Sequence, residues 1–297
     1  MVWVGRLQAQ EFIPLYPKGK KPNSNGRPVK DSLFNERIWQ VAEPGIYAFR
    51  VPPADNRGAS VLICPGGGYE RLSHIYNGFN FASWFNARGI NVFVLIYRLP
   101  HQPDLERPQL APLQDAQRAM KLLRARSAQW KLDPARIGVM GISAGGHVAG
   151  MLGTVTQNLA LAGDSLDTTA FRPDFMVLLS PVVTMGAYAH KGSKRIFLGK
   201  DTTQQAIRAY SNEWQVSSFT PPSFLVHAQN DSSVSVHNSL LLYSAMVGKK
   251  VDATLHVFPQ GGHGIKLVDN PGSTELWLPL LAAWLDEKNI TRPSTRK

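Results

Sequence analysis

Short apolar runs alternate with amphipathic segments along most of this chain. The apolar runs predict strands, and apolar positions that recur every three or four residues predict helices. We expect strands at residues 45–51, 60–64, 91–96, 137–140, 175–179, 223–226 and 254–257, and helices near residues 79–87, 113–130, 146–152, 235–246 and 274–286. The helix at 113–130 has the clearest pattern, because Ala116, Met120 and Leu123 recur near helical spacing and Pro112 suits a helix start.

The alternation of strands and helices indicates an α/β fold, with a mostly parallel sheet covered by helices on both faces. We expect residues 45–297 to form one domain. Residues 1–44 contain five prolines and form an arm packed on that domain, with room for one short strand near residues 38–41. Residues 181–222 are too long for a bare connection, which predicts short helices beside or over the binding site and otherwise a minimal cap. Ligands of such sheets bind beyond the carboxyl ends of the strands.

The composition is that of a globular protein in water. The chain has 297 residues, of which 43% are hydrophobic and 18% are charged, and this is enough for one large buried core. No apolar run approaches the length of a membrane span, so no membrane association is predicted. The single cysteine, Cys64, excludes an internal disulfide framework and lies in an apolar run, where we expect a small buried side chain.

The formal net charge of +11 narrows the classes of partner only slightly. Lysine and arginine are dispersed, with local density at residues 18–21, 191–200 and 292–297, and they are not interleaved with aromatic residues. The pattern therefore favours solubility over nucleic-acid binding, and it leaves attraction to a uronic-acid-bearing polysaccharide open. Residues 1–10 contain no intact secretory signal, although residues 7–10 resemble the end of one. The compartment stays open, with an exported protein favoured.

The sequence G-I-S-A-G at residues 141–145 follows an apolar run and precedes a segment that can continue as helix. Strand, sharp turn and helix, with a serine between two glycines, is the context that a nucleophile elbow requires. The small flanking residues let strand and helix pass close together, and Ser143 is presented above the sheet edge. The backbone N–H of the next residue then faces a reacting carbonyl oxygen.

Such a serine needs a base and a group that orients the base, and in elbow enzymes both lie downstream. Asp231 follows the predicted strand at 223–226, and His263 lies among glycines after the strand at 254–257. A histidine set among glycines can swing over a sheet edge. His147 lies on the helix behind Ser143, which favours a packing role, and His227 lies on an apolar strand, which favours a hydrogen-bonded core histidine.

Three consecutive glycines follow the predicted strand at 60–64, in the sequence P-G-G-G-Y at residues 65–69. Glycines let the backbone turn its N–H groups toward a reacting oxygen. The spacing fits neither glycine-rich phosphate loop, which disfavours nucleotide binding. Tyr69 adjoins the loop and is a candidate for lining the acyl or sugar pocket, with plain packing as the alternative. The histidines lack H-E-x-x-H or paired-cysteine spacing, so no metal site is predicted.

These motifs, in this order, resemble the α/β-hydrolase superfamily, and more narrowly its small acetyl-esterase and acetyl-xylan-esterase-like members, relatives of the hormone-sensitive-lipase group. The resemblance covers roughly residues 45–288. It implies a triad of Ser143, Asp231 and His263, with an oxyanion hole made by the N–H groups of Gly67, Gly68 and Ala144. Many lipase-like relatives begin the glycine loop with histidine where this chain has Pro65, so which glycine N–H groups point inward stays open.

We therefore expect a serine carboxylesterase that removes short acyl groups, chiefly acetyl, from sugars or plant-polysaccharide fragments such as acetylated xylan, without a cofactor. Its partner is an acylated carbohydrate or a small ester, and the oligomeric state is not predicted. A feruloyl esterase, another carboxylic-ester hydrolase, or an amidase or peptidase with the same triad is the alternative. A catalytically silent protein of this fold that binds a glycan would require loss of a triad member.

Overall fold

The computed structural model describes residues 11–292, and strands and helices alternate along them. The strands are β1 (Glu11–Pro14), β2 (Ser32–Phe34), β3 (Arg37–Gln40), β4 (Gly45–Phe49), β5 (Ser60–Cys64), β6 (Asn91–Ile96), β7 (Ile137–Ile142), β8 (Met176–Leu179), β9 (Ser223–Ala228) and β10 (Ala253–Phe258). The α-helices are α1 (Asn80–Asn86), α2 (Ala111–Ala125), α3 (Ser127–Trp130), α4 (Ala144–Thr154), α5 (Lys191–Leu198), α6 (Gln204–Ala209), α7 (His237–Gly248) and α8 (Trp277–Glu287). A π-helical turn, Ile75–Phe79, precedes α1.

The central sheet has eight strands in the order β1-β4-β6-β5-β7-β8-β9-β10. Strands β5 to β10 pair in parallel, whereas β4 pairs antiparallel with both β1 and β6. The predicted mostly parallel α/β sheet is confirmed. Strands β2 and β3 form a separate two-stranded hairpin.

Each face of the sheet carries its own apolar core. Along β6, Phe93 and Leu95 pack into the core beneath α2, α4 and α7, and Val92 and Val94 pack into the core beneath α1 and α8. All six residues of β6 are buried. A strand buried on both faces is expected in a parallel sheet covered by helices. This arrangement fixes the strand ends from which the site loops emerge.

The N-terminal region contains more strand than the sequence predicted. Strand β1 joins the central sheet at its edge, and β2 pairs with β3, the strand expected near residues 38–41. These strands have only four and three residues, too few for a periodic pattern to appear. The expected helix at 113–130 is divided at Arg126, whose φ of −94° and ψ of 9° leave the helical range. The predicted signal remnant at residues 7–10 and most of the basic segment at 292–297 lie outside the described residues.

A buried ion pair ties the N-terminal arm to the sheet. Arg98 and Asp115 have fully buried side chains, and Arg98 Nη2 lies 2.7 Å from Asp115 Oδ1. The same carboxylate accepts a hydrogen bond from the Tyr16 hydroxyl at 3.0 Å, and Arg98 Nη1 donates to the Pro22 carbonyl at 2.6 Å. The arm therefore supplies acceptors and donors that a buried charge requires.

Candidate active site

Ser143 occupies a sharp turn between β7 and α4. Its φ of 56° and ψ of −123° lie in a region that side chains other than glycine rarely adopt, and its N–H donates to the Leu179 carbonyl at 3.1 Å. Close approach is possible because Gly145 has no side chain: a Cβ there would overlap the carbonyl oxygen of Cys64. The strand, turn and helix predicted for residues 141–145 are present.

The structure brings the three predicted side chains together from loops after β7, β9 and β10. Ser143 Oγ lies 2.9 Å from His263 Nε2, and His263 Nδ1 lies 2.8 Å from Asp231 Oδ2. A carboxylate only accepts hydrogen bonds, so Nδ1 carries the proton and Nε2 is free to accept from the serine hydroxyl. This arrangement can withdraw a proton from Ser143 as its oxygen attacks a carbonyl.

Asp231 is buried and held by its own loop. Its Oδ1 accepts the N–H groups of Ser233 and Val234, both at 2.9 Å. Burial raises the pKa of Asp231, but hydrogen bonds from His227, His263 and the Val234 N–H outweigh burial and bring that pKa below its ordinary value. Asp231 is therefore ionised at neutral pH and can stabilise a positive His263.

His227 contacts Asp231, a contact that the sequence did not predict. Its fully buried Nε2 lies 2.9 Å from the Val234 carbonyl and 3.3 Å from Asp231 Oδ2. Both neighbours are acceptors, so Nε2 carries the proton, and Nδ1 accepts from the Ser239 hydroxyl at 2.8 Å. The predicted core location of His227 is confirmed, and it touches the proposed acid as well.

The glycine loop forms one wall of the same cavity. Gly67 and Gly68 line it beside Ser143 and His263, and their φ angles of 136° and 68° suit glycine. Ala144 is the first residue of α4, so its N–H has no acceptor within the helix. The oxyanion role of these three N–H groups stays a prediction.

Tyr69 does not line the cavity, contrary to the substrate contact proposed for it from sequence. Its φ of 65° turns the side chain into the core, where it is fully buried against Tyr97 and Phe197. The Tyr69 hydroxyl lies 2.6 Å from His147 Nδ1. The packing alternative is the one observed.

His147 links three parts of the structure from beneath Ser143. Its Nε2 lies 2.7 Å from the Tyr210 carbonyl, an acceptor, so Nε2 carries the proton and Nδ1 accepts from the Tyr69 hydroxyl. Burial lowers the pKa of His147 to about 4. The neutral imidazole thus joins the glycine loop, α4 and the insertion, in agreement with the predicted packing role.

The cavity above Ser143 has a volume of about 340 Å³. The glycine loop, the π-helical turn and the insertion all contribute lining residues, as do the loops that carry the proposed triad. Its lining residues are Gly67, Gly68, Glu70, Arg71, Ser73, Tyr76, Asn77, Ile142, Ser143, His190, Gly192, Arg195, Ile196, Ser233 and His263. Sequence reasoning missed Tyr76, Asn77, His190 and Arg195, and the only signal for them was their location after the glycine loop or within the insertion.

The insertion at 181–222 contains the expected short helices, α5 and α6. His190 precedes α5, and its Nδ1 accepts from the Ser193 N–H at 3.1 Å. Burial lowers the pKa of His190, and the nearby His263 adds to that effect. His190 therefore faces the cavity as a neutral imidazole.

Residues 11–292 contain neither a metal-ligand cluster nor a membrane-spanning helix. No group of three or more His, Cys, Asp or Glu side chains in that range is arranged to hold a metal ion. None of the helices there has the length and apolar character needed to cross a bilayer. Burial raises the pKa of the Cys64 thiol well above its ordinary value, which disfavours a thiolate nucleophile.

The model of the BD-FAE family matches residues 51–246. The chain is 32% identical over 256 residues to endo-1,4-beta-xylanase B of Butyrivibrio fibrisolvens, covering 82% of this chain and 40% of that protein. It is 33% identical over 217 residues to an acetylxylan esterase of Xylanibacter ruminicola, covering 71% of this chain and 42% of that protein. The chain thus spans about two fifths of these curated relatives.

Two solved structures extend the comparison across nearly the whole chain. The acetyl ester-xyloside bifunctional hydrolase from Caldicellulosiruptor lactoaceticus is 34% identical with a TM-score of 0.79, covering 96% of this chain and 99% of that one. Thermogutta terrifontis esterase 2 is 19% identical with a TM-score of 0.72, covering 99% of this chain and 100% of that one, and at that identity it supports the fold alone.

Proposed function

The chain belongs to the BD-FAE family of α/β-hydrolases, and from that premise we propose that it is a serine carboxylesterase that removes acetyl groups from xylan fragments or similar acylated sugars. The observation that carries the proposal is the continuous chain of hydrogen bonds from Ser143 Oγ through His263 to Asp231, open to a cavity. The acetylxylan esterase and the acetyl ester-xyloside hydrolase among its relatives support the substrate class.

Acylation begins with attack of Ser143 Oγ on the ester carbonyl carbon. His263 Nε2, 2.9 Å away, accepts the hydroxyl proton as the new C–O bond forms. The resulting imidazolium keeps its Nδ1–H on Asp231, whose negative charge stabilises it.

The carbonyl oxygen of the ester becomes an oxyanion in the tetrahedral intermediate. The N–H groups of Gly67, Gly68 and Ala144 are the proposed donors to it. Each preorganised donor of this kind lowers the barrier by about 3 kcal/mol. Collapse of the intermediate breaks the bond to the sugar oxygen, and His263 gives its proton to that oxygen.

Deacylation repeats these steps with water. His263 removes a proton from a water molecule that attacks the acetyl-enzyme, acetate leaves, and Ser143 recovers its proton. The cavity is open to solvent and of moderate volume, about 340 Å³. A short acyl group on a large sugar fits such a site better than a long acyl chain does.

Acetate release from acetylated xylo-oligosaccharides tests the substrate class. It is measured beside hydrolysis of p-nitrophenyl acetate, p-nitrophenyl octanoate and methyl ferulate. We expect rapid release from the oligosaccharide and little turnover of the octanoate. Preferential hydrolysis of methyl ferulate would move the natural substrate to feruloyl esters, with the same nucleophile.

Ser143→Ala tests the nucleophile. We expect p-nitrophenyl acetate turnover to fall by about four to six orders of magnitude, as in other serine hydrolases that lose the serine, while the protein stays folded. Ser83→Ala, at an exposed serine of α1 that does not line the cavity, is the matched control. Undiminished turnover by Ser143→Ala would exclude the mechanism, whatever the natural ester is.

A further inference from the structure

The cavity contains one positive charge that no neighbouring carboxylate neutralises. Of the acidic residues near the site, Glu70 pairs with Arg71 at 2.6 Å, and Asp231 is buried and holds His263. Arg71 also lies over the ring of Trp39, with its Cζ 5.1 Å from the ring centroid. Glu70, Arg71 and Asp231 thus all have partners within the protein.

Arg195 is different. It lines the cavity and is exposed, and among residues 11–292 no carboxylate lies within ion-pair distance of it. Gly192, Arg195 and Ile196 line the cavity together because positions three and four apart share one face of α5. Helix α5 has three basic residues and no acidic one, so no neighbour on the helix balances Arg195.

A large flat group also lines the cavity. Tyr76, on the π-helical turn, is 52% exposed although its aromatic ring is apolar. An exposed tyrosine ring offers a flat apolar face with a polar edge, and this suits a sugar ring, which has both kinds of surface. The cavity therefore has an aromatic face from the π-helical turn and a positive charge from the insertion.

We propose that Arg195 binds the carboxylate of an acidic sugar, so that the preferred substrate is an acetylated xylo-oligosaccharide that carries a uronic acid near the acetyl group. A guanidinium forms two parallel hydrogen bonds to a carboxylate, a geometry that a neutral sugar hydroxyl cannot match. This inference rests on the proposed deacetylation and adds to it the class of sugar that the site prefers.

Two acetylated xylo-oligosaccharides test the inference, one neutral and one carrying a glucuronic acid side chain. The measured quantity is the ratio of kcat/KM for the acidic to the neutral substrate. An exposed guanidinium–carboxylate pair supports a preference of about 1.5- to 5-fold at low salt. We expect the native protein to show that preference, and we expect added salt to reduce it.

Substitutions assign the preference to one residue. Arg195→Gln should bring the ratio close to one, and Arg195→Lys should restore part of it. Lys194→Gln is the matched control, because it removes the same charge from the adjacent position of α5, which does not line the cavity. Hydrolysis of p-nitrophenyl acetate, which has no carboxylate to bind, should be the same in Lys194→Gln as in the native protein, and in the two Arg195 variants it reports any general loss of activity that the ratio of kcat/KM cancels.

The outcomes separate the two proposals. Equal kcat/KM for both oligosaccharides in the native protein, or an equal loss of preference in Lys194→Gln, would overturn the role of Arg195 and leave the deacetylation intact. Hydrolysis of p-nitrophenyl acetate without acetate release from either oligosaccharide would overturn the proposed substrate class, and with it the inference.

Discussion

At Asp231, one carboxylate oxygen, Oδ2, contacts two histidines that have different roles. His263 reaches the cavity with its side chain 28% exposed, whereas His227 is fully buried beside the same Oδ2. The two backbone N–H groups on Oδ1 leave Oδ2 as the oxygen that orients His263. His227 therefore helps to fix the direction in which the carboxylate meets the proposed base.

His227→Leu and His227→Gln should separate this orienting role from simple packing. Loss of a hydrogen bond to a charged group costs about 1.5–3 kcal/mol. We expect kcat for p-nitrophenyl acetate to fall about 10- to 100-fold in the leucine variant, with KM little changed. Glutamine keeps a donor and should recover much of that loss. Equal kcat in two variants of equal thermal stability would contradict the orienting role.

Gly145→Ala should disturb the turn without removing any hydrogen-bonding side chain. A Cβ at Gly145 would overlap the Cys64 carbonyl, which directly precedes the glycine loop. Overpacking of this kind destabilises by about 1–3 kcal/mol or more, and movement of the loop should also lower kcat. Gly248→Ala is the control, because nothing lies within 4 Å of a Cβ there. Urea denaturation and initial rates measure both effects, and a Gly145→Ala protein as stable as the control would refute the close approach.

What could be predicted at this scale depended on local sequence. Ser143 and His263 lie beside glycines in motifs that need those neighbours, so they were found. The contact between His227 and Asp231 depends on how the loop at 228–237 folds back on its strand, and no spacing rule reports that. Tyr69 was assigned to the cavity by adjacency, but a positive φ sent its side chain the other way.

At the scale of elements, the glycine loop, the insertion and α4 meet at His147, although they are far apart in the sequence. The glycine loop contributes the Tyr69 hydroxyl, the insertion contributes the Tyr210 carbonyl, and α4 contributes the imidazole between them. Asn212, also in the insertion, donates to the backbone carbonyl of His147 at 3.2 Å. The insertion is thereby attached to the helix that begins directly after Ser143.

This junction should make stability depend on pH in a defined direction. The pKa of His147 is about 4 in the folded protein and about 6.5 in an unfolded chain. As pH falls from about 6.5 to about 4, the unfolded chain takes up a proton that the folded protein does not, so the free energy of unfolding decreases. Below about pH 4 this residue adds no further loss.

His147→Gln should make that decrease smaller, by about 3 kcal/mol over the window at most. Chemical denaturation at several pH values between 4.5 and 7.5 measures it, and the slope is compared because the substitution also lowers stability at every pH. His237→Gln, at an exposed histidine, is the control. Parallel pH profiles for His147→Gln and the native protein would contradict the buried neutral imidazole.

Strands with continuous apolar runs were predictable as elements, whereas β1 and β2 were not. Strands β5 to β10 lie between helices and have near-continuous apolar runs, which sequence periodicity detects. Strands β1 and β2 exist because β4 and β3 offer partners, a tertiary effect that leaves little trace in four or three residues. The residues that line the cavity could not be predicted for the same reason, because their side chains meet only after the insertion folds.

At the scale of the whole molecule, the N-terminal arm is part of the fold. It contributes the edge strand β1 and supports the buried charges of Arg98 and Asp115. It also pairs with the segment after the glycine loop, where Ile38 and Leu72 exchange backbone hydrogen bonds of 3.1 and 2.7 Å. The arm therefore supports one wall of the candidate site from behind.

Asp115→Ala should test how much the buried pair matters. The substitution leaves the Arg98 guanidinium buried without its counter-charge, which costs about 3–5 kcal/mol. Replacement of both residues by apolar side chains, Arg98→Met with Asp115→Leu, should cost less than Asp115→Ala alone. Denaturant titration of the single and double variants measures the difference. A mild effect of Asp115→Ala would show that the pair contributes little.

The insertion supplies part of the cavity lining, and the proposed catalytic residues lie outside it. Residues 181–222 lie between β8 and β9, whereas the proposed nucleophile, acid and base follow β7, β9 and β10. No member of the triad is encoded within the insertion, yet it supplies His190, Gly192, Arg195 and Ile196 to the cavity. Under the proposed function, exchange of this segment between relatives would change the residues that meet the alcohol part of the ester and leave the proposed triad in place. A change in the preferred leaving group would therefore require changes only within this insertion, without changes in the loops that carry the proposed triad.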